Sequence, residues 1–270
     1  MALVIHWQQH DDRSDRVAPG KLTISDAVLA ALIRHAHRRG LAVLLFPILH
    51  LEVLQMGHWR GTLQPRHRNR WWLSYERFIL HYARIARRHK VAALLVGSEL
   101  GTTELWRARW YHLVGRVRRV YSGKLVYSAN WDHFDKVSFW RRIDYLGVTG
   151  YFELSRNANA GVAELSAAWR RARAALLAFA AKHKKPLWIT EVGYPSVDGA
   201  ATQPWNYARP GKVDVEEQRR CYAAFVTAWS NTPGLAGVFF WNWNGAGGKR
   251  DRSYTPRGKP AEAILRRWFR

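Results

Sequence analysis

Short apolar runs alternate with amphipathic helical segments along almost the whole chain, and this alternation limits the fold more than any other feature of the sequence. The runs are ALVIHWQ (2–8), LAVLLFPIL (41–49), VAALLVGSE (91–99), KLVYSANW (124–131), IDYLGVTGY (143–151), KPLWITEVGY (185–194) and AGVFFWNWN (236–244). Each has strand length and is rich in branched or aromatic residues, and each is read as a strand followed by a helix. Helical patterns cover 23–40, 72–90, about 104–121, about 162–182, 214–230 and a last stretch from about 260. In the first, apolar residues fall at 28, 29, 32, 33 and 36, Thr23 or Ser25 stands where an N-cap belongs, and Gly40 closes the pattern. Apolar strands need cover on both faces, so repeated βα units predict an all-parallel sheet coated by helices.

A doubly wound sheet and a (β/α)8 TIM barrel both satisfy that pattern, and the polar and aromatic residues separate them. His6, Trp7, His50, Glu99, Asn130, Trp131, Tyr151, Glu191, Trp241 and Asn242 all lie at or just past the C-terminal ends of different strands. A barrel gathers its active site from the C-terminal ends of many strands. A doubly wound sheet uses one switch point, usually with a glycine-rich phosphate turn, and no G-x-G-x-x-G follows a strand here. The expectation is a TIM-barrel-type α/β fold. With 48% hydrophobic residues and no linker, repeat or low-complexity segment, residues 1–270 read as a single domain. The longest stretch without periodicity, Ser196 to Pro210, reads as a functional loop.

Two acids break the apolar pattern at equivalent places: Glu99 closes LLVGSE and Glu191 closes PLWITE. Pairing with one of the many arginines would account for either acid alone, whereas two equivalent placements among strand-end aromatics favour function. Carboxylates facing each other across an aromatic-lined cleft are the equipment of glycoside hydrolysis, one protonating the leaving oxygen and the other attacking carbon. A barrel spends about 31 residues per βα unit, so the 92 positions from Glu99 to Glu191 span three units. Strands three apart would bring the two acids toward the roughly 5 to 5.5 Å separation of a retaining enzyme. The acid must hold a proton near neutral pH, which takes burial and nearby negative charge. The nucleophile must stay ionised, which takes hydrogen-bond donors.

VGSEL, WITEVGYPS and FFWNWN, in that order, resemble the clan A glycoside hydrolases. TISDAVLAALIRHAHRRGLAVLLFPILHL, GHWRGTLQP, FILHYARIA and GYPSVDGAATQPWNY resemble glycoside hydrolase family 113, best known as endo-β-1,4-mannanases, and the resemblance covers nearly the whole chain. It implies a retaining double displacement on β-1,4-linked mannan or mannooligosaccharides. Glu99 would be the general acid/base at the end of barrel strand four and Glu191 the nucleophile at the end of strand seven. Tyr151 would hydrogen-bond the nucleophile, and Trp241 would form the aromatic platform under the sugar. His6, Trp7, His50, Trp59, Asn130, Trp131 and Trp205 complete the candidate substrate-binding set. Many clan members place Asn directly before the acid/base; Ser98 stands there in this chain, leaving Asn130 as the candidate partner of the sugar 2-hydroxyl. Three strands should precede Glu99 in a full barrel and only two do. The expected sheet therefore has seven strands and lacks the first βα unit, with Met1 inside what would be strand two.

Composition narrows the remaining classes. Cys221 is the only cysteine, so neither an intrachain disulfide nor a cysteine metal site is expected. His6, His50, His58 and His133 form no H-x-H or H-x-x-x-H pair with a strand-end carboxylate, so they read as partners of sugar hydroxyls; no metal and no cofactor are expected. The start MALVIHWQQHDD lacks a basic leader and a small-residue cleavage site, so no export signal is expected, and no segment reaches the roughly 18 apolar residues of a membrane span. The net charge of +23 raises nucleic acid as a partner, but the basic residues fall in short dispersed clusters such as RHAHRR at 34 and RIARRHK at 84. That distribution reads as a solvated surface with only salt-sensitive, non-specific attraction to polyanions. Among the 15 tryptophans, Trp106, Trp110, Trp169 and Trp229 read as packing residues and Trp59, Trp131, Trp205 and Trp243 as sugar-stacking candidates. An inactive or carbohydrate-binding relative, or a different β-glycanase specificity, is the alternative reading.

Overall fold

The computed structural model describes every residue, Met1–Arg270. Seven strands follow one another in a single sheet in chain order: β1 (Ala2–Gln9), β2 (Leu44–Leu51), β3 (Ala93–Ser98), β4 (Lys124–Ala129), β5 (Tyr145–Thr149), β6 (Leu187–Val192) and β7 (Leu235–Phe240). The pairs β1–β2, β2–β3, β3–β4 and β6–β7 are parallel. The α-helices are α1 (Asp26–Arg38), α2 (Arg68–Arg88), α3 (Arg107–Val120), α4 (Val162–His183), α5 (Val215–Trp229) and α6 (Pro260–Trp268). This is the expected TIM-barrel-type succession with seven strands, starting at β1 and ending at β7. The chain divides into two compact units, Met1–Gly147 and Val148–Arg270, with the boundary inside β5.

One expectation fails. β4 is not followed by an α-helix: the segment 130–144 forms only two 3-10 turns, Phe134–Lys136 and Trp140–Arg142. Its aromatic residues are held by individual partners. Phe139 stacks on Trp110 with ring centroids 4.3 Å apart, and the Trp140 indole N–H donates to the Phe134 carbonyl at 2.9 Å.

In the first unit the cap of α1 is Ser25, whose hydroxyl accepts from the Val28 N–H. Thr23, the other candidate, donates instead to the His6 carbonyl at 2.7 Å, tying the start of α1 to β1. Gly40, at φ 70°, takes the left-handed conformation that ends the helix. The core is strongly aromatic. Trp71, Trp72, Tyr75 and Phe78 of α2 are all buried, Trp71 stacks on Tyr75 at 5.0 Å, and Trp110 of α3 meets Trp72, Tyr75 and Tyr127. Buried indole and phenol groups need polar partners. Trp71 donates to the Gln9 side chain at 2.7 Å and Tyr75 to the Val96 carbonyl at 2.8 Å, which fixes α2 against β1 and β3.

The second unit packs α4 on α5 through Trp169, which meets Phe225 and Trp229 and donates to the Tyr194 hydroxyl at 2.9 Å. The region after β6 is held from below. Both carboxylate oxygens of the buried Glu217 accept backbone N–H groups, from Gly199 and Ala201 at 2.7 and 2.8 Å. The Lys259 ammonium donates to Ser196, Asp251 and the Ser253 carbonyl. Residues 196–210 are therefore a fastened loop. No helix in the protein is long and apolar enough to cross a membrane.

Candidate active site

The candidate residues form two sets, one in each unit. In the first unit Glu99 directly follows β3 and is 5% exposed. β3 is buried along its whole length, and Gly97 within it is where aromatic side chains close in: a Cβ there would lie 2.9 Å from Trp110, Tyr127 and Tyr75. The chain then turns sharply. Glu99 adopts φ 54°, a left-handed conformation unusual for a residue with a side chain, while its N–H donates to the Ser128 carbonyl at 2.8 Å. The guanidinium of Arg60, from the loop after β2, donates to Glu99 Oε2. The arginine pairing weighed for an isolated strand-end acid is thus present at this position, alongside the strand-end geometry.

His6 and His50 meet edge to face, with ring centroids 6.1 Å apart. Burial, then the charges of His50 and Arg60, lowers the His6 pKa to about 4; burial and Arg60 lower that of His50. Near neutral pH both rings are uncharged, available as donor and acceptor to hydroxyl groups. The sign of the pH effect follows from the lowered His6 pKa. The unfolded chain takes up a proton at this position below about 6.5, while the folded protein resists it until about pH 4. This histidine therefore costs stability progressively as pH falls through that window and nothing above it. Urea unfolding of wild type and His6→Asn across pH 4 to 8 is expected to show the variant gaining relative stability as the pH drops; a constant difference would contradict the assignment.

Asn130 donates to Asp132 at 2.8 Å, Trp131 is half-buried, and Trp59 stands half-buried over Gly61, where a Cβ would meet its ring at 2.3 Å. Trp7 does not join this group. It stacks on Phe78 of α2 at 5.2 Å and lies beside His81 and Tyr82, because strand alternation turns it to the face opposite His6. It is a sheet–helix packing residue. His58 pairs with the buried Asp12 at 2.8 Å. Glu104 was not foreseen: it is fully buried, and burial, reinforced by the charge of Glu99, raises its pKa to about 8 despite a hydrogen bond from Tyr127. His133, 3.8 Å from its carboxyl, stands too far to donate a hydrogen bond.

In the second unit Glu191 lies within β6 and is 2% exposed. The Tyr151 hydroxyl, just past β5, donates to Glu191 Oε2 at 3.0 Å in a buried setting. Tyr254 packs edge to face on Tyr151 at 6.2 Å and donates to the Pro204 carbonyl. Burial, and then the charge of Glu191, raises its pKa, so it remains a phenol. After β7, the Trp241 N–H donates to the Val192 carbonyl at 2.8 Å, setting a half-exposed indole beside the end of β6; the Trp241–Asn242 peptide bond is cis. Trp205 is 38% exposed on the fastened loop. Asp198, Asp214 and Glu217 place carboxylate oxygens within 4.8 Å of one another, but Glu217 is committed to the loop amides and Asp214 caps α5 by accepting the Glu217 N–H at 2.7 Å. That cluster serves as a structural fastening.

Sequence reasoning missed Arg60, Glu104 and Tyr254. Only the clustering of GHWRG and GSELGTTE hinted at the first two, since neither residue stands at a strand end.

The first unit thus carries a buried carboxylate after β3 and a half-buried indole after β4; the second carries a buried carboxylate in β6 held by a tyrosine and a half-buried indole after β7. The class of protein is a glycoside hydrolase of the TIM-barrel type. Residues 1–259 match Glycoside Hydrolase Family 113, and the chain belongs to that family. It is similar to the GH113 β-mannanase AaManA from Alicyclobacillus acidocaldarius, solved in complex with ManMIm. The identity is 30% and the TM-score 0.88, with 99% of this chain and 85% of that one covered. A second GH113 β-1,4-mannanase structure shares the fold at 24% identity and TM-score 0.88, covering 99% of this chain and 86% of that one. A fungal β-1,4-galactanase shares it at 16% identity and TM-score 0.59, covering 98% and 87%. No curated protein sequence matches the chain.

Proposed function

We propose that the protein hydrolyses β-1,4-linked mannan or mannooligosaccharides with retention of anomeric configuration, Glu191 acting as nucleophile and Glu99 as general acid/base. A Glu191 oxygen attacks the anomeric carbon while the glycosidic C–O bond breaks and the Glu99 proton passes to the leaving oxygen. Water then gives a proton to Glu99 and its oxygen to the same carbon, expelling Glu191. The observation that carries this reading is the buried 3.0 Å hydrogen bond from Tyr151 to Glu191, which holds the carboxyl oriented. His6, His50, Trp59, Asn130, Trp131, Trp205 and Trp241 supply hydroxyl partners and flat apolar surfaces of the kind a sugar requires. The mannan assignment is supported by the similarity to AaManA at 30% identity.

The test is hydrolysis of β-1,4-mannotetraose, cello-oligosaccharide and galacto-oligosaccharide, followed by proton NMR of the anomeric signals. The expected result is turnover of the mannotetraose with the β-anomer appearing first. The α-anomer appearing first would overturn the retaining mechanism, turnover of another substrate alone would overturn the mannan assignment, and binding without turnover would establish a carbohydrate-binding relative.

A further inference from the structure

Glu99 is the second residue past the apolar part of β3 and holds a left-handed backbone at φ 54°. A non-glycine residue stays there only when its surroundings hold it. Its own N–H is fixed by the Ser128 carbonyl, and the next N–H, of Leu100, donates at 3.1 Å to the Tyr127 hydroxyl. That hydroxyl has one proton, which it donates at 2.6 Å to Glu104 Oε1. Glu104 is itself locked: its carbonyl accepts the N–H of Ser138 at 3.3 Å and the hydroxyl of Ser138 at 2.5 Å, and its N–H donates to the Gly101 carbonyl at 3.1 Å. Between the two acids, Thr103 donates its N–H and its hydroxyl to the Leu100 carbonyl, each at 2.8 Å, and the Trp110 indole donates to the Thr103 carbonyl at 2.9 Å. Every link belongs to the first unit, and all three side chains, Tyr127, Glu104 and Trp110, are buried.

We infer that Glu104 and Tyr127 are positioning residues for the acid/base: the Glu104 carboxyl orients the Tyr127 hydroxyl, whose oxygen anchors the Leu100 N–H and thereby holds the Glu99 backbone turn that aims its carboxyl. The inference rests on the reading of Glu99 as the acid/base. It explains why a buried acid sits five residues beyond Glu99 with no cation in hydrogen-bond reach; the charged and titratable groups facing it are Tyr127 from β4, His133 and Asp132 from the following segment, and Glu99 itself. Burial keeps Glu104 protonated near neutral pH, so it occupies the site without adding a full negative charge beside Glu99.

The test compares leaving groups. From a 2,4-dinitrophenyl β-mannobioside the dinitrophenolate departs without a proton, whereas the sugar leaving group of a mannooligosaccharide needs one, so a misaimed acid harms only the second. Tyr127→Phe keeps the ring packing and removes both hydrogen bonds. Glu104→Ala removes the orienting acceptor, and Glu104→Gln keeps a carbonyl for the Tyr127 hydroxyl. Tyr127→Phe and Glu104→Ala are expected to lower kcat/KM on mannotetraose at least tenfold while changing it less than threefold on the dinitrophenyl substrate, with Glu104→Gln within threefold of wild type on both. Unchanged activity on mannotetraose, or equal losses on both substrates, would overturn the inference. If Tyr127→Phe does not fold, the Glu104→Ala and Glu104→Gln pair carries the same comparison. Glu99→Ala serves as the control. If it lacks the leaving-group signature, the acid/base reading itself fails, a result distinct from failure of the positioning role.

Discussion

Replacing Glu191 with alanine is expected to lower kcat on mannooligosaccharides by on the order of 10^4-fold or more, because no covalent intermediate can then form. Glu99→Ala is expected to lose on the order of 10^2- to 10^4-fold, the range of a missing general acid. Azide distinguishes the two roles stereochemically. In Glu191→Ala it occupies the space of the lost carboxylate and attacks once, so the product from a dinitrophenyl β-mannobioside is the α-mannosyl azide. In Glu99→Ala the α-linked glycosyl-enzyme still forms and azide displaces it, giving the β-mannosyl azide. Interchanged anomers would reverse the assignment of the two acids, and wild-type activity in either variant would remove that residue from the mechanism.

Gly193→Ala is the second substitution with a large expected effect. Gly193 stands two residues past Glu191, and a Cβ at this position would lie 1.9 Å from the backbone carbonyl oxygen of Trp241. A backbone atom cannot rotate away as a side chain does, so the end of β6 and the turn after β7 must separate. The Trp241 N–H to Val192 hydrogen bond at 2.8 Å spans the same gap and is strained with it. We expect a loss of about 3 kcal/mol in unfolding free energy, the upper part of the usual range for overpacking, together with weaker substrate binding as the indole shifts. Urea denaturation and KM on mannotetraose check the two parts separately. Wild-type stability would show that the approach of the two segments is looser than described.

How much of this was legible beforehand differs from residue to residue. The seven apolar runs carry their own evidence, because a strand covered on both faces must be apolar along its length; all seven became strands, β1 and β7 at the ends of the sheet only partly buried. Glu99 and Glu191 were legible for the converse reason: an acid at the end of such a run contradicts burial and has to be explained. The family resemblance added the order of their roles. Trp7 shows the limit of reasoning from strand ends. It is adjacent in sequence to His6, yet the alternation of side chains along β1 sends one residue toward His50 and the other onto α2. The segment after β4 departs from the repeated βα rule: no helical pattern is read there, and Phe139 and Trp140 are each held by an individual partner.

Arg60 and Glu104 were hinted at only by the clustering of GHWRG and GSELGTTE and Tyr254 by nothing, and the three share a cause. Each acts through a partner remote in the chain: Arg60 on Glu99, Glu104 on Tyr127, Tyr254 on Tyr151. Local periodicity carries no trace of such contacts. The sequence by itself determined the succession of elements, the seven-strand count and the two acids, since hydrophobic period and strand-end placement are properties of neighbouring residues. The tyrosine bonded to Glu191 was implied by the family resemblance; only the tertiary structure decided the other surroundings of those acids, the arginine paired with Glu99 and the buried carboxyl behind it. Hydrogen bonding and desolvation depend on which side chains the fold brings within about 3 Å of each other, and no spacing along the chain records that distance.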